Sequence, residues 1–314
     1  MFETPILLII FNRPDETERV FNVIRKQKPR QFFVAADGPR AGVVEDITKC
    51  KAAREKIKVT WECDFQSLYH EENLGCGLGP SDAISWFFSH VDKGIILEDD
   101  CMPHADFFQY CSDLLNLYEL NEKIFFIGGT NFQKGKLRGK ASYYFSAGNQ
   151  GTWGWATWKR SWEEFNYFLS DIEEDKFKDT ILQYFHNRHQ INYWINIFRE
   201  VKRSQLNNSC WDYQFYFSGW MKGKFAIIPN KNLVTNIGFG DSSTHKFDLN
   251  SNLINQETYP ILPLHHPSTI ELNRKADFYL HKKFIQPYEF GIKRIFRILY
   301  KLRKFLKGCF SKKK

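Results

Sequence analysis

Gly94-Ile95-Ile96-Leu97-Glu98-Asp99-Asp100-Cys101-Met102-Pro103 is the stretch on which the reading of this chain turns. Three apolar residues read as a short buried strand, and three carboxylates follow without a break. Successive strand side chains point to opposite faces, so Glu98 and Asp100 share a face about 6–7 Å apart. Like charges that close repel, and burying them unpaired is costly. A hard divalent ion, Mg²⁺ or Mn²⁺, would remove the conflict, since such ions commonly bind one or two carboxylates plus substrate phosphates. The carboxyl end of a strand in an α/β sheet is also where ligands usually bind. The plain alternative is a solvated acidic turn.

The 314 residues can bury a substantial core, as one large domain or a domain with an appendage. A charged fraction of 25% beside 17% aromatics marks a globular chain. No apolar run approaches the roughly 18 residues a spanning helix needs. Residues 5–11 are too short for a leader, have no basic region before them, and read as a buried first strand. Seven scattered cysteines without a CxxC pair argue against a disulfide framework or zinc site and fit a reducing cytoplasm. The net charge of +8 is uneven: residues 284–314 hold ten Lys/Arg against Glu289, leaving −1 for the preceding 283. The basic character belongs to the tail, so the body is not read as a nucleic-acid binder.

Strands and helices alternate through the first half. Strands are expected at 5–11, 31–36, 57–61, the acidic stretch and 123–127. Helices are expected at 15–27, 43–56, 81–91 and 104–120, with a glycine-rich turn at 73–80. Such alternation implies an α/β fold, a mostly parallel central sheet flanked by helices. Later, 141–146 and 225–228 read as strands, and most of 155–202 and 211–221 as aromatic-rich helix. A folded body is expected over 1–267, with a nucleotide-binding half to about 128 and an acceptor half beyond it. The Pro-bearing stretch 259–267 reads as the exit, and 268–314 as a tail.

Candidate site residues stand where these strands end. Asp37, before Gly38, can accept hydrogen bonds from a base or ribose, or simply make an Asp-Gly turn. Arg13 can meet a diphosphate, or sit on the surface beside a helix cap. Trp153 and Trp155 are expected nearer a pocket, and Trp158 and Trp162 in the core. Asp212 lies in an aromatic segment, where poor hydration makes a carboxylate a better base; its alternative role is helix capping. His245 could reach a metal held at Asp100, or lie exposed in its polar loop.

Together these segments resemble nucleotide-sugar glycosyltransferases of the GT-A fold over roughly residues 4–250. Leu97-Glu98-Asp99-Asp100 resembles the DxD-type metal motif in its EDD form. Its order relative to Gly154-Trp155, Trp211-Asp212 and the late His245 is similar to the β-1,2-N-acetylglucosaminyltransferase I family. The strings NLGCG (73–77), WGWATW (153–158), WDYQ (211–214) and NLVTNIGFG (232–240) resemble bacterial proteins of that fold labelled sugar transferases or hemolytic-protein homologues. The resemblance implies that Asp100 binds Mn²⁺ (or Mg²⁺) and through it the diphosphate, with His245 near the metal. It implies Asp99 at the ribose, Glu98 at the donor sugar, Asp37 at the base, Arg13 at base or phosphates, and Asp212 as the base. One position departs: the family carries a second acid after the tryptophan and uses it as the base, and here that residue is Tyr213.

The implied activity is metal-dependent, inverting transfer from a nucleotide-diphosphate sugar. UDP-sugars are favoured, UDP-GlcNAc among them, with a glycan or lipid-linked acceptor in surface-polysaccharide synthesis. A non-catalytic carbohydrate- or membrane-binding protein of the same fold is the alternative. On a helix over 292–310, Ile292, Ile295, Phe296, Leu299, Leu302, Leu306 and Phe310 form an apolar stripe bordered by lysines and arginines. That basic amphipathic pattern suits an anionic membrane surface, hence a peripheral position on the inner face of the plasma membrane. Docking of this helix on the enzyme itself is the other reading.

Overall fold

The computed structural model describes residues 1–148, 151–203, 210–238 and 256–285. Ten strands occur among them: β1 (Ile6–Ile10), β2 (Gln31–Ala36), β3 (Asp64–Tyr69), β4 (Lys93–Glu98), β5 (Cys101–Pro103), β6 (Ile124–Gly128), β7 (Tyr143–Ser146), β8 (Trp155–Trp158), β9 (Phe225–Pro229) and β10 (Val234–Asn236). Eight form one sheet in the order β3-β2-β1-β4-β8-β6-β9-β7, and β5 pairs with β10 in a separate ribbon. The expected parallel sheet is present from β3 to β4. Beyond β4 the sheet is mixed, because β8 runs antiparallel to both neighbours and β7 runs antiparallel to β9.

Covering both faces is what makes the central strands apolar throughout. Alternate residues of β1 enter two cores: Leu7 joins Phe33, Phe87 and Trp155 on one side, while Ile6, Leu8 and Ile10 join Phe21, Ile24 and Phe107 on the other. Helices Pro14–Gln27 and Asp106–Leu117 cover the second side, and Gly75–His90 and Asp212–Met221 the first. Among the described residues no helix is long and apolar enough to cross a membrane.

Three expectations need correction. The third strand is Asp64–Tyr69, an edge strand with much of its surface in water, and not 57–61. Ile57, Val59 and Trp61 instead pack as a loop against the core, with the Trp61 indole donating to the Pro29 carbonyl at 2.9 Å. The expected helical run from 155 begins as a buried strand, since a four-residue apolar run has no periodicity to separate it from a buried helix turn. The body also does not end at 267. Asp106 accepts the N–H groups of Ile261 and Leu262, and helix Arg274–Leu280 docks through buried Asp277, held by Ser146 and the Ala147 N–H. The expected helix over 292–310 lies outside the described residues.

Gly94 is the second residue of β4, where a side chain would run into the buried Phe87 ring and come within 3.0 Å of the Pro5 carbonyl oxygen. Gly94→Ala should therefore lower stability by about 1–3 kcal/mol. Urea unfolding measures this; an unchanged midpoint would mean that the ring yields freely.

Candidate active site

The acidic stretch ends β4 at the carboxyl edge of the parallel half, beside the ends of β1 and β2. There a cleft of about 370 Å³ is lined by Arg13, Asp37, Glu98, Asp99 and Asp100, together with Trp153, Trp211 and Asp212. Of the residues expected at a site, all but Trp155 and His245 meet in this one cleft. His245 lies outside the described residues.

Arg13 follows β1 and immediately precedes Pro14, the first residue of helix Pro14–Gln27. Its Nη1 donates to Asp100 Oδ2 at 2.6 Å and to Asp99 Oδ1 at 3.3 Å. Asp99 is buried, and its other oxygen accepts the Phe11 N–H at 3.0 Å. Burial works against the charge on Arg13, but Asp99 and Asp100 outweigh it and raise its proton affinity. Glu98 keeps some surface at the cleft while protein packs densely around its carboxyl. That burial, reinforced by Asp100 and Asp99, holds its carboxyl well above the ordinary range; burial and Asp100 act the same way on Asp99. A single guanidinium cannot balance three carboxylates.

Asp37 ends β2 and is fully engaged. Its carboxylate accepts the N–H groups of Gly38, Leu74 and Gly75 at 2.8–3.0 Å and the Asn73 amide at 2.9 Å. It therefore pins the glycine-rich loop, which is the beginning of helix Gly75–His90 and not a free turn, and a carboxylate suits a helix N-terminus. Arg54 ties the neighbouring strand ends together by donating to the carbonyls of Asp37 and His70.

Asp46 was not foreseen. This buried carboxylate accepts Arg40 Nε at 2.6 Å and the Asn12 amide at 2.8 Å, and the Arg40 hydrogen bond above all holds its pKa at about 2. The pair fixes Arg40 at the cleft rim over Phe11. Only Arg40, directly after Asp37-Gly38-Pro39, gave a hint of it in the sequence.

Trp155 is corrected. It is fully buried in β8, stacked on Trp211 with centroids 5.5 Å apart, and lines no part of the cleft. Gly154, at φ +62° and with Val234 2.7 Å from where a Cβ would sit, turns the chain between the two indoles. Trp153 stays in the loop and lines the cleft, while Trp155 enters the sheet. At the other departure the structure separates two neighbours: Asp212, opening helix Asp212–Met221, faces the cleft, whereas Tyr213 packs against Trp194 and Phe217.

Whether these residues suit a divalent ion can be judged from their oxygens. Among the described residues no group of three His, Cys, Asp or Glu is arranged to cage a metal. Asp99 has both oxygens engaged, whereas among the described residues Asp100 Oδ1 meets only the Cys101 thiol, at 3.5 Å. A lone carboxylate with spare capacity at a cleft fits an ion whose remaining ligands come from substrate phosphates and water.

No protein-family model and no curated protein matches this chain. Among solved structures it is similar to HddC from Yersinia pseudotuberculosis, at 9% identity and a TM-score of 0.30, covering 50% of this chain and 77% of that one. A glucose-1-phosphate thymidylyltransferase from Bacillus anthracis gives 10%, 0.31, 63% and 84%. Mouse xyloside xylosyltransferase 1 gives 9%, 0.30, 68% and 80%. Likeness at this level defines neither a family nor a substrate.

Raised carboxyl pKa values make the folded state bind more protons than the unfolded chain, so stability should fall as pH rises through neutrality. Burial lowers the His281 pKa to about 4, which acts in the opposite sense but only below about pH 6.5. Between pH 6.5 and 8 the melting temperature should therefore decline, and Glu98→Gln should flatten the decline. An equal slope in the variant would show that Glu98 ionises freely.

Proposed function

We propose that the protein is a metal-dependent, inverting glycosyltransferase that uses a nucleotide-diphosphate sugar, a UDP-sugar by preference, and a glycan or lipid-linked acceptor. The observation that carries this reading is the one cleft lined together by Arg13, Asp37, Glu98, Asp99, Asp100, Trp153 and Asp212.

The chemistry of transfer assigns each a task. The acceptor oxygen attacks the anomeric carbon as the bond to the diphosphate oxygen breaks, and the diphosphate leaves with the electron pair. An alcohol is a poor nucleophile, so Asp212 takes its proton as the new bond forms. Attack opposite the leaving group inverts the anomeric centre. Arg13, already at the acids, meets the developing negative charge. Asp100 would hold Mn²⁺ or Mg²⁺, which supplies Lewis-acid stabilisation of the leaving diphosphate. Glu98, with its raised proton affinity, is suited to hydrogen-bond the donor sugar's hydroxyls. Asp37 contributes by fixing the Asn73–Gly75 backbone beside the nucleotide, and Trp153 offers a flat face for a sugar ring.

Calorimetry with UDP- and GDP-sugars, with and without Mn²⁺, should reveal donor binding that requires the ion, accompanied by slow donor hydrolysis. Asp100→Ala should abolish the metal-dependent component. Asp212→Asn should keep donor binding and lose roughly 10²–10⁴ in transfer rate. Absence of donor binding under every metal condition would reject the reading. Sugar binding untouched by both substitutions, with no turnover, would favour a non-catalytic binding protein.

A further inference from the structure

A second feature of the surface is strongly basic and lies outside the reaction described above. Residues 134–140, Lys-Gly-Lys-Leu-Arg-Gly-Lys, form a loop without an acid, in which Lys134, Lys136 and Lys140 are exposed. The loop is folded onto the last described segment of the chain. Gln133 Nε2 donates to the Ala276 carbonyl at 3.2 Å, Lys136 Nζ lies 4.6 Å from the Tyr279 ring centre, and Lys134 Nζ lies 5.3 Å from that of Phe284. From that segment, Arg274, Lys275, Lys282 and Lys283 are also exposed. Over 274–285 the one acid, Asp277, points inward to Ser146 and Ala147, and the nearest exposed acid of the segment, Glu271, precedes that stretch. Leu137 and Phe278 stand exposed among these cations, at 64% and 40%.

We propose that this face docks the folded body on an anionic membrane surface. Clustered lysines near a bilayer are each attracted to acidic headgroups, and an exposed leucine and phenylalanine can enter the interfacial layer. In the sequence this segment is followed by residues 286–314, which carry ten Lys/Arg against one acid. A single-stranded nucleic acid would need a series of open aromatic faces for its bases, but Tyr279 and Phe284 lie under Lys136 and Lys134, and Phe278 offers a single ring. The face also borders the cleft: Phe284 contacts Phe132 at 6.0 Å, and Phe132 contacts the cleft residue Trp153 at 5.5 Å. Docking here would hold the Trp153 side of the cleft near the bilayer, where a lipid-linked acceptor resides.

The test needs no sugar nucleotide, so its outcome is separate from that of the proposed reaction. The full chain is floated with phosphatidylcholine vesicles and with vesicles that also contain phosphatidylglycerol. It should partition strongly only to the latter, and less so as salt rises. Each charge removed from the face should weaken partitioning about fivefold, so Lys134→Gln/Lys136→Gln/Lys140→Gln should lose on the order of 100-fold. Leu137→Ser should weaken it with every charge retained. The control Lys26→Gln/Lys51→Gln/Lys58→Gln, on the N-terminal half, should change it far less. Circular dichroism confirms that each variant is folded. Equal losses in the two triple variants, or equal partitioning to neutral and anionic vesicles, would overturn the proposal. So would a preference for single-stranded DNA over vesicles that the loop substitutions abolish.

Discussion

Three consecutive carboxylates at the end of β4 and the one guanidinium that reaches two of them set the terms for everything near the cleft. The strand must be buried to complete the sheet, and its burial carries Glu98 and Asp99 into surroundings that disfavour their charge. Arg13 relieves some of that cost, and it can do so only because β1 lies directly beside β4 and ends at the same level. A buried ion pair adds little net stability once desolvation is counted. The cluster makes sense as an electrostatic site more than as a structural bond.

Neighbouring segments are shaped by the same constraint. The β5–β10 ribbon brings Ile237 over the cluster, where its N–H donates to the Asp100 carbonyl at 2.8 Å. The next residue must be glycine, because a Cβ at Gly238 would collide with the Asp100 carboxylate and approach Arg13. Asp37 has a comparable role at the end of β2, spending its carboxylate on the amides that begin helix Gly75–His90. One acid organises the loop, while Glu98 and Asp100 face the cleft.

The part of the cleft that carries Asp212 is built differently, from aromatic packing. Trp155, Trp162, Trp211 and Phe215 form one contact cluster behind the cleft and fix the helix that presents Asp212. The chain then passes through Asp277 and Phe284 to the basic face, so the cleft wall, the aromatic layer and the exposed lysines belong to one packed unit.

The sequence by itself determined the alternating strand–helix plan of the first half, the apolar strands buried on both faces and the acids at a strand end. These follow from local pattern: hydrophobic period, glycine and proline placement, and charge next to an apolar run. It also marked Arg13, Asp37 and Asp212, whose positions at element ends are local facts. Tertiary structure alone decided the antiparallel insertion of β8, because pairing between strands distant in the chain leaves no trace in a four-residue run. It sent Trp153 to the cleft and Trp155 to the core through one left-handed glycine, and it turned Asp37 from an open acceptor into a clamp. It likewise carried the folded body past residue 267, since the burial of Asp277 depends on Ser146, 131 residues earlier.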